Sequence, residues 1–243
     1  MKLARLGRQF GRRAMAAALP ARLFVVRGSR QVRTVYLTFD DGPDRVHTPP
    51  LLDLLRAEGV KATFFVVGRC AAACPDLIRR MVEEGHAVGH HTYSHSAPNC
   101  TSARRLMAEI AQTSEVLIRS VGFSPNLFRP PHGKLTPSKL WHLWRTAMTV
   151  VLWNVDPRDF ACQSGDELRG RLSGYAPQAG DVLLFHDDRP HALAALPELI
   201  ARVRTTGLEF ATFPGQAGRP PAAPLPGVDE WNGDGITLRR SPM

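Results

Sequence analysis

The stretch Val35-Tyr36-Leu37-Thr38-Phe39-Asp40-Asp41-Gly42-Pro43 decides how the chain is read. Its first five residues are apolar, aromatic or β-branched and suit a strand. Asp40 and Asp41 then set two adjacent carboxylates at the strand's end. Strand side chains alternate faces, so both can serve one site only if the backbone turns between them or just after them. Gly42-Pro43 supplies turn chemistry. Such a pair suits a metal ligand beside a general base. An isolated Asp-Asp-Gly is more often a plain turn, so the reading depends on what the other strand ends carry.

Outward from this strand, short apolar runs alternate with helical patterns. A helix is predicted from Thr48 as N-cap, with Pro49 at its first position, Leu51, Leu52, Leu54 and Leu55 on its apolar face and Gly59 as stop. Ala62 to Val67 reads as a strand buried on both faces. Helix from Pro75 to Glu84, a short strand at Ala87-Val88-Gly89, and a long helix from Ser102 to Ser120 closed by Gly122 follow. Further strands are expected at Asn126–Phe128, Thr149–Val155, Asp181–Phe185 and Glu209–Phe213. Helices are expected from Pro137, at Asp166–Leu172 and at Leu193–Thr205. This alternation predicts an α/β protein with a mostly parallel sheet, open or closed into a barrel. Sites in such folds form at the C-terminal ends of the strands.

Charge is distributed unevenly over the 243 residues. Residues 1–39 hold nine basic residues and no acidic one, and beyond them 22 basic residues face 22 acidic ones. The net charge of +9 is therefore a property of the leader, and the neutral body argues against nucleic-acid binding. Residues 1–32 read as a basic, solvated leader, residues 33–213 as the functional domain, and residues 214–243 as a loosely packed tail rich in Pro, Gly and Ala. Peripheral membrane contact through the leader is left open. The segment Ala14–Ala21 after Arg12-Arg13 makes a weak export signal, set against a cytoplasmic or membrane-peripheral location. Cys70, Cys74, Cys100 and Cys162 show no CxxC pairing and read as free or buried thiols. A monomer is expected.

Five of the nine histidines fall at predicted strand ends. His90-His91-Thr92-Tyr93-Ser94-His95 follows the third strand, Arg129-Pro130-Pro131-His132-Gly133 the fourth, Asp156-Pro157-Arg158-Asp159-Phe160 the fifth and His186-Asp187 the sixth. His91 and His95 are four apart, which sets two imidazoles on one side of a turn or helix, a spacing suited to one divalent metal. His90 competes with His91 for that role. Arg129 has a plain alternative as a surface ion-pair partner of Asp156 or Asp159, and His186 as a core histidine.

The order TFDDGP, HTYSH, RPPHG, DPRDF and LFH resembles the polysaccharide deacetylase (NodB-homology) family, carbohydrate esterase family 4, over residues 33–213. The resemblance implies a distorted (β/α) barrel of about seven parallel strands with outer helices. It implies a divalent metal, zinc first, with Co2+, Ni2+ or Mn2+ as alternatives, held by Asp41, His91 and His95. It implies hydrolysis of N-acetyl groups on amino-sugar saccharides by a metal-activated water. Asp40 would be the base, Arg129 its orienting partner, His186 the acid and Asp159 the residue that tunes it. His132 would contribute its backbone N–H to the oxyanion, and Phe160 and Leu184 would line the acetyl pocket.

Three positions depart from the family pattern. His132 stands where Tyr or Phe is usual, Phe160 where Trp is usual, and His90 where Asn is common. All implied metal and acid–base groups are present. Competing readings keep the site but hydrolyse an O-acetyl ester or a non-sugar amide, or keep the fold as a non-catalytic carbohydrate-binding protein.

Overall fold

The strand that opens the sequence reading lies at the centre of the sheet. In the computed structural model, which describes residues 19–20, 22–96 and 101–214, it spans Thr34–Asp40 (β2). The other strands are Phe24–Val25 (β1), Thr63–Val66 (β3), Ala87–His90 (β4), Leu127–Phe128 (β5), Thr149–Val151 (β6), Val182–His186 (β7) and Glu209–Ala211 (β8). Their order is β1-β6-β5-β4-β3-β2-β7, with β8 also paired to β2, and these pairings are parallel. Past β6, Val155 pairs with Leu183 of β7, and this bridge closes the ring into a distorted barrel.

Helices Thr48–Ala57 (α1), Gly68–Ala73 (α2), Pro75–Glu83 (α3), Ala103–Val121 (α4), Pro137–Arg145 (α5), Gly165–Leu172 (α6) and His191–Thr205 (α7) follow the strands. None is long and apolar enough to cross a membrane. The period-2 pattern of β2 explains the layering. Val35, Leu37 and Phe39 pack with Leu51, Leu52 and Leu55 of α1 and with Leu196, Leu199 and Ile200 of α7. The alternate residues face the barrel interior, where Tyr36 stacks on Phe213 and Thr38 and Asp40 meet Arg129. α4 starts one residue after the expected Ser102, which caps it by accepting from Arg105 N, and ends at Gly122 in the left-handed region (φ 81°).

Two expectations are corrected. Composition assigns Phe24 and Val25 to a solvated leader, yet they form β1 against β6, with Phe24 and Val26 buried. Arg27 pairs with Asp181, and Gly28 N–H donates to Gly180 O just before β7, so this segment fills the gap between β6 and β7. A short apolar run, Leu23 to Val26, gains more by covering an open sheet edge than it loses in chain entropy. Thr48 is not the cap of α1: that position falls on His47, which makes no side-chain cap bond. Thr48 Oγ1 instead accepts from Asp44 N and donates to Asp187 Oδ2. Cys70, Cys74 and Cys162 are free thiols. The expectations for residues 1–18 and for the tail beyond residue 214, and Cys100, lie outside the described residues.

Phe24→Ala is expected to cost about 3 kcal/mol, the usual penalty for truncating a buried aromatic. Urea denaturation checks this. A loss below about 0.5 kcal/mol is the surface value and would return the segment to a solvated leader.

Candidate metal and hydrolytic site

The strand-end loops converge at the C-terminal mouth of the barrel. Parallel register sets Asp40 of β2 directly across from His186 of β7. Asp41 turns with a left-handed backbone (φ 78°), and this turn brings both carboxylates to one site despite strand alternation. Gly42 N–H donates to Asp187 Oδ1 at 3.0 Å, and a side chain on Gly42 would collide with that carboxylate.

Arg129 is fully buried. Its Nη1 donates to Asp40 Oδ1 (2.7 Å) and Thr38 Oγ1 (2.8 Å), its Nε to Val151 O and its Nη2 to Leu152 O. The guanidinium also lies 4.1 Å from the centre of the Phe65 ring. Its carboxylate partner is thus Asp40, not Asp156 or Asp159. Asp40 Oδ2, the oxygen not bonded to Nη1, faces His91 Nε2 at 3.8 Å.

His91 Nδ1 lies 2.7 Å from Arg129 O. A carbonyl only accepts, so Nδ1 carries a proton, and Nε2 is the nitrogen left to face the site. His90 points the other way: it is fully buried, with Nε2 on Pro125 O and Ser124 Oγ, and burial drives its pKa down to about 4. The competition between the two neighbours is resolved in favour of His91. His95 sits at φ 58°, its N–H donating to Thr92 Oγ1.

Asp41, His91 and His95 come together as one donor set, their candidate ligand atoms all within 4.8 Å of one another. Asp41 Oδ1 lies 3.3 Å from His91 Nε2 and 3.1 Å from His95 Nε2. Yet this buried oxygen has no partner of good hydrogen-bond geometry. Two imidazole nitrogens and an orphaned carboxylate oxygen aimed at one point fit a divalent cation. Burial alone would raise the Asp41 carboxyl, but the imidazoles of His91 and His95, with His186 behind them, outweigh it and hold it well below the carboxylate range.

His186 is held by Asp159, which accepts from its backbone N–H (2.7 Å) and lies 2.8 Å from its Nδ1. Burial pulls the imidazole down, but the buried Asp159 carboxylate prevails and the pKa is pushed up to about 9. Nε2 is left facing the site, 3.9 Å from Asp41 Oδ2. The half-exposed Phe160 ring stands edge-on to His186, and Leu184 lies buried two residues before it on the same strand face. His132 (φ 57°) places its ring edge-on to His95 at 5.2 Å. A cavity of about 370 Å³ opens beside Asp41 and His95, lined also by Arg69, Cys70 and Asp188.

Two buried carboxylates were given no role from the sequence, Asp187 although it was noted at a strand end. Asp187 accepts from Gly42 N and Thr48 Oγ1, and burial pushes its pKa up to about 7. Glu109 of α4 accepts from the loop between His91 and His95. A signal for it existed: it lies in register with Leu106, Ile110, Thr113 and Leu117 on the buried face of its helix.

Comparison with known proteins places these observations in context. The sequence model of the polysaccharide deacetylase family matches residues 27–151. A peptidoglycan-N-acetylglucosamine deacetylase of Bacillus cereus is 36% identical over 184 residues, 74% of this chain and 66% of its own. A chitooligosaccharide deacetylase of a Bradyrhizobium species is 34% identical over 197 residues, 75% of this chain and 90% of its own. The chain thus spans just under two thirds of the Bacillus relative's length. The crystal structure of the Bc1960 peptidoglycan N-acetylglucosamine deacetylase superposes with a TM-score of 0.77 at 33% identity, covering 81% of this chain and 95% of that one.

Arg129→Met leaves Asp40 buried without its partner and is expected to cost about 3–5 kcal/mol. Adding Asp40→Asn should recover part of that loss. Unfolding of the single and double variants in urea measures the coupling, and strictly additive losses would show that the two side chains do not act as a pair.

Proposed function

Because the chain belongs to the polysaccharide deacetylase family, we propose that it removes N-acetyl groups from amino-sugar oligo- or polysaccharides such as chitooligosaccharide or peptidoglycan. The observation that carries this reading is the convergence of Asp41, His91 and His95 with Asp40 on one flank and the Asp159–His186 pair on the other. The names of two relatives, one acting on peptidoglycan and one on chitooligosaccharides, support the substrate class.

A divalent cation bound by Asp41, His91 and His95 would polarise the acetyl carbonyl and acidify water, and two nitrogens with one carboxylate oxygen favour zinc. The residues of the chain account for the proton traffic. Arg129 fixes Asp40 through Oδ1, so Oδ2 is the oxygen that takes a proton from the attacking water. Asp159 occupies His186 Nδ1, so Nε2 is the nitrogen that hands a proton to the departing amine. A pKa near 9 keeps that imidazole charged at neutral pH. The tetrahedral oxyanion would draw on the backbone N–H near His132. Leu184 and Phe160 provide the apolar wall for the acetyl methyl, and the His132 ring, beside His95, bears on substrate fit.

Amine release from chitooligosaccharides and peptidoglycan fragments should require added divalent metal and stop with a chelator. Full activity of a metal-stripped preparation, or hydrolysis of acetylxylan esters alone, would overturn the reading. Asp40→Asn is expected to keep metal affinity and to lose at least about 10²-fold in kcat, the usual contribution of a general base. Asp41→Asn is expected to lose metal affinity itself. Isothermal titration and single-turnover rates on both variants separate the two roles.

A further inference from the structure

The loop that carries both histidines is held in an unfavourable shape. Thr92 (φ 64°) and His95 (φ 58°) both occupy the left-handed region, which a β-branched or imidazole side chain enters at a cost. The loop is not a helix, so the four-residue spacing alone does not bring the rings together. Contacts from neighbouring elements must hold it.

An accounting of its backbone shows where they come from. Thr92 O accepts from Gly68 N and Tyr93 O from Arg69 N, both at the start of α2. His91 N donates to Val66 O. Tyr93 N and Ser94 N donate to Glu109 Oε2 of α4, at 3.2 and 3.1 Å. Glu109 Oε1 accepts from Ser94 Oγ (2.8 Å) and from Arg105 Nε (3.0 Å). One buried carboxylate therefore answers three donors of two consecutive loop residues, immediately before His95. Among the described residues, the hydrogen bonds of Glu109 on the site side go to the loop and not to either ligand ring.

The two ligands differ in how they depend on it. His91 is anchored on its own by Val66 O and by Arg129 O on its Nδ1. His95 follows Ser94 directly, and its N–H closes back on Thr92 Oγ1. Removing Glu109 would leave the half-buried Tyr93 N–H and Ser94 N–H without this acceptor, which favours a relaxed loop with His95 displaced.

We propose that Glu109 is a positioning residue for the metal site: it clamps the Thr92–His95 loop in its left-handed shape and thereby sets the metal affinity contributed by His95. The inference rests on the reading of Asp41, His91 and His95 as metal ligands. Outer partners of ligand residues elsewhere alter metal affinity by about 10- to 100-fold, and Glu109→Gln is expected to fall in that range. An amide has one acceptor oxygen where the carboxylate has two, and its NH2 would face the donors of the loop.

The test uses the full chain and two metals. Zn2+ dissociation constants are measured by competition with a chromogenic chelator, and the Co2+ form is followed by its visible absorption. Glu109→Gln should weaken Zn2+ at least tenfold and change the Co2+ spectrum, as expected when one nitrogen ligand is lost. Arg105→Ala removes the helix-side partner of Glu109 and leaves the loop donors in place, so it should stay within about twofold of the parent. Ser94→Ala removes one loop donor while keeping the carboxylate, and should weaken Zn2+ about threefold with an unchanged melting temperature; it also serves if Glu109→Gln does not fold. Parent-like affinity and spectrum in both Glu109→Gln and Ser94→Ala would overturn the clamp. Equal weakening in Arg105→Ala would overturn it too, by tracing the effect to charge on the helix. A parent chain that binds neither metal would overturn the metal reading itself, a result distinct from parent binding with unaltered variants.

Discussion

A guanidinium is costly to bury, and Arg129 is buried completely. It is tolerated because its donors are answered: the Asp40 carboxylate, the Thr38 hydroxyl and the carbonyls of Val151 and Leu152. These partners come from β2 and from the end of β6, so the side chain ties opposite sides of the barrel. Residue 129 has a second effect through its own carbonyl, which accepts a hydrogen bond from His91 Nδ1–H. One residue thus orients the proposed base through its side chain and a proposed metal ligand through its backbone. Their relative placement is fixed by a single rigid connection, which hydrolytic chemistry demands more than raw stability.

Adjacent aspartates end with different chemistry because their surroundings differ. Asp40 lies inside the barrel against a guanidinium, whereas Asp41 turns outward between imidazoles. His186 and Asp159 form a third ionisable unit on the far flank, where a buried carboxylate keeps an imidazole charged. Asp187 links the two flanks: it follows His186 in the chain and holds the Gly42 N–H that follows Asp41.

Much of this was legible in the residues. The strand–helix alternation reads directly from apolar periodicity, and the helix starts near Ser102 and Pro137 and the stops at Gly59 and Gly122 follow from capping and left-handed backbone preferences. β1 was not legible, because two residues in a basic segment carry no period and become a strand only when an open edge of β6 is available. Thr48 was misread as a cap because its competing partner, Asp187, lies 139 residues away. The register of Glu109 on the buried face of its helix was readable, but not the loop its carboxylate binds, because that loop is brought to it by packing.

By itself, the sequence determined the alternation of elements, their parallel arrangement and the delivery of Asp40-Asp41, His90 to His95, Arg129, Asp159 and His186 to strand ends. Those follow from local periodicity and from the rule that connections in parallel sheets return to one end. Only the tertiary structure decided that Asp41 turns at φ 78°, that His91 faces the site while His90 faces Pro125, and that Glu109 bonds to the loop between His91 and His95. The physical reason is distance along the chain. Arg129 and Asp40 are 89 residues apart, and His186 and Asp159 are 27 apart. The orientation of a side chain at a strand end is set by partners that only closure of the barrel brings within hydrogen-bond reach.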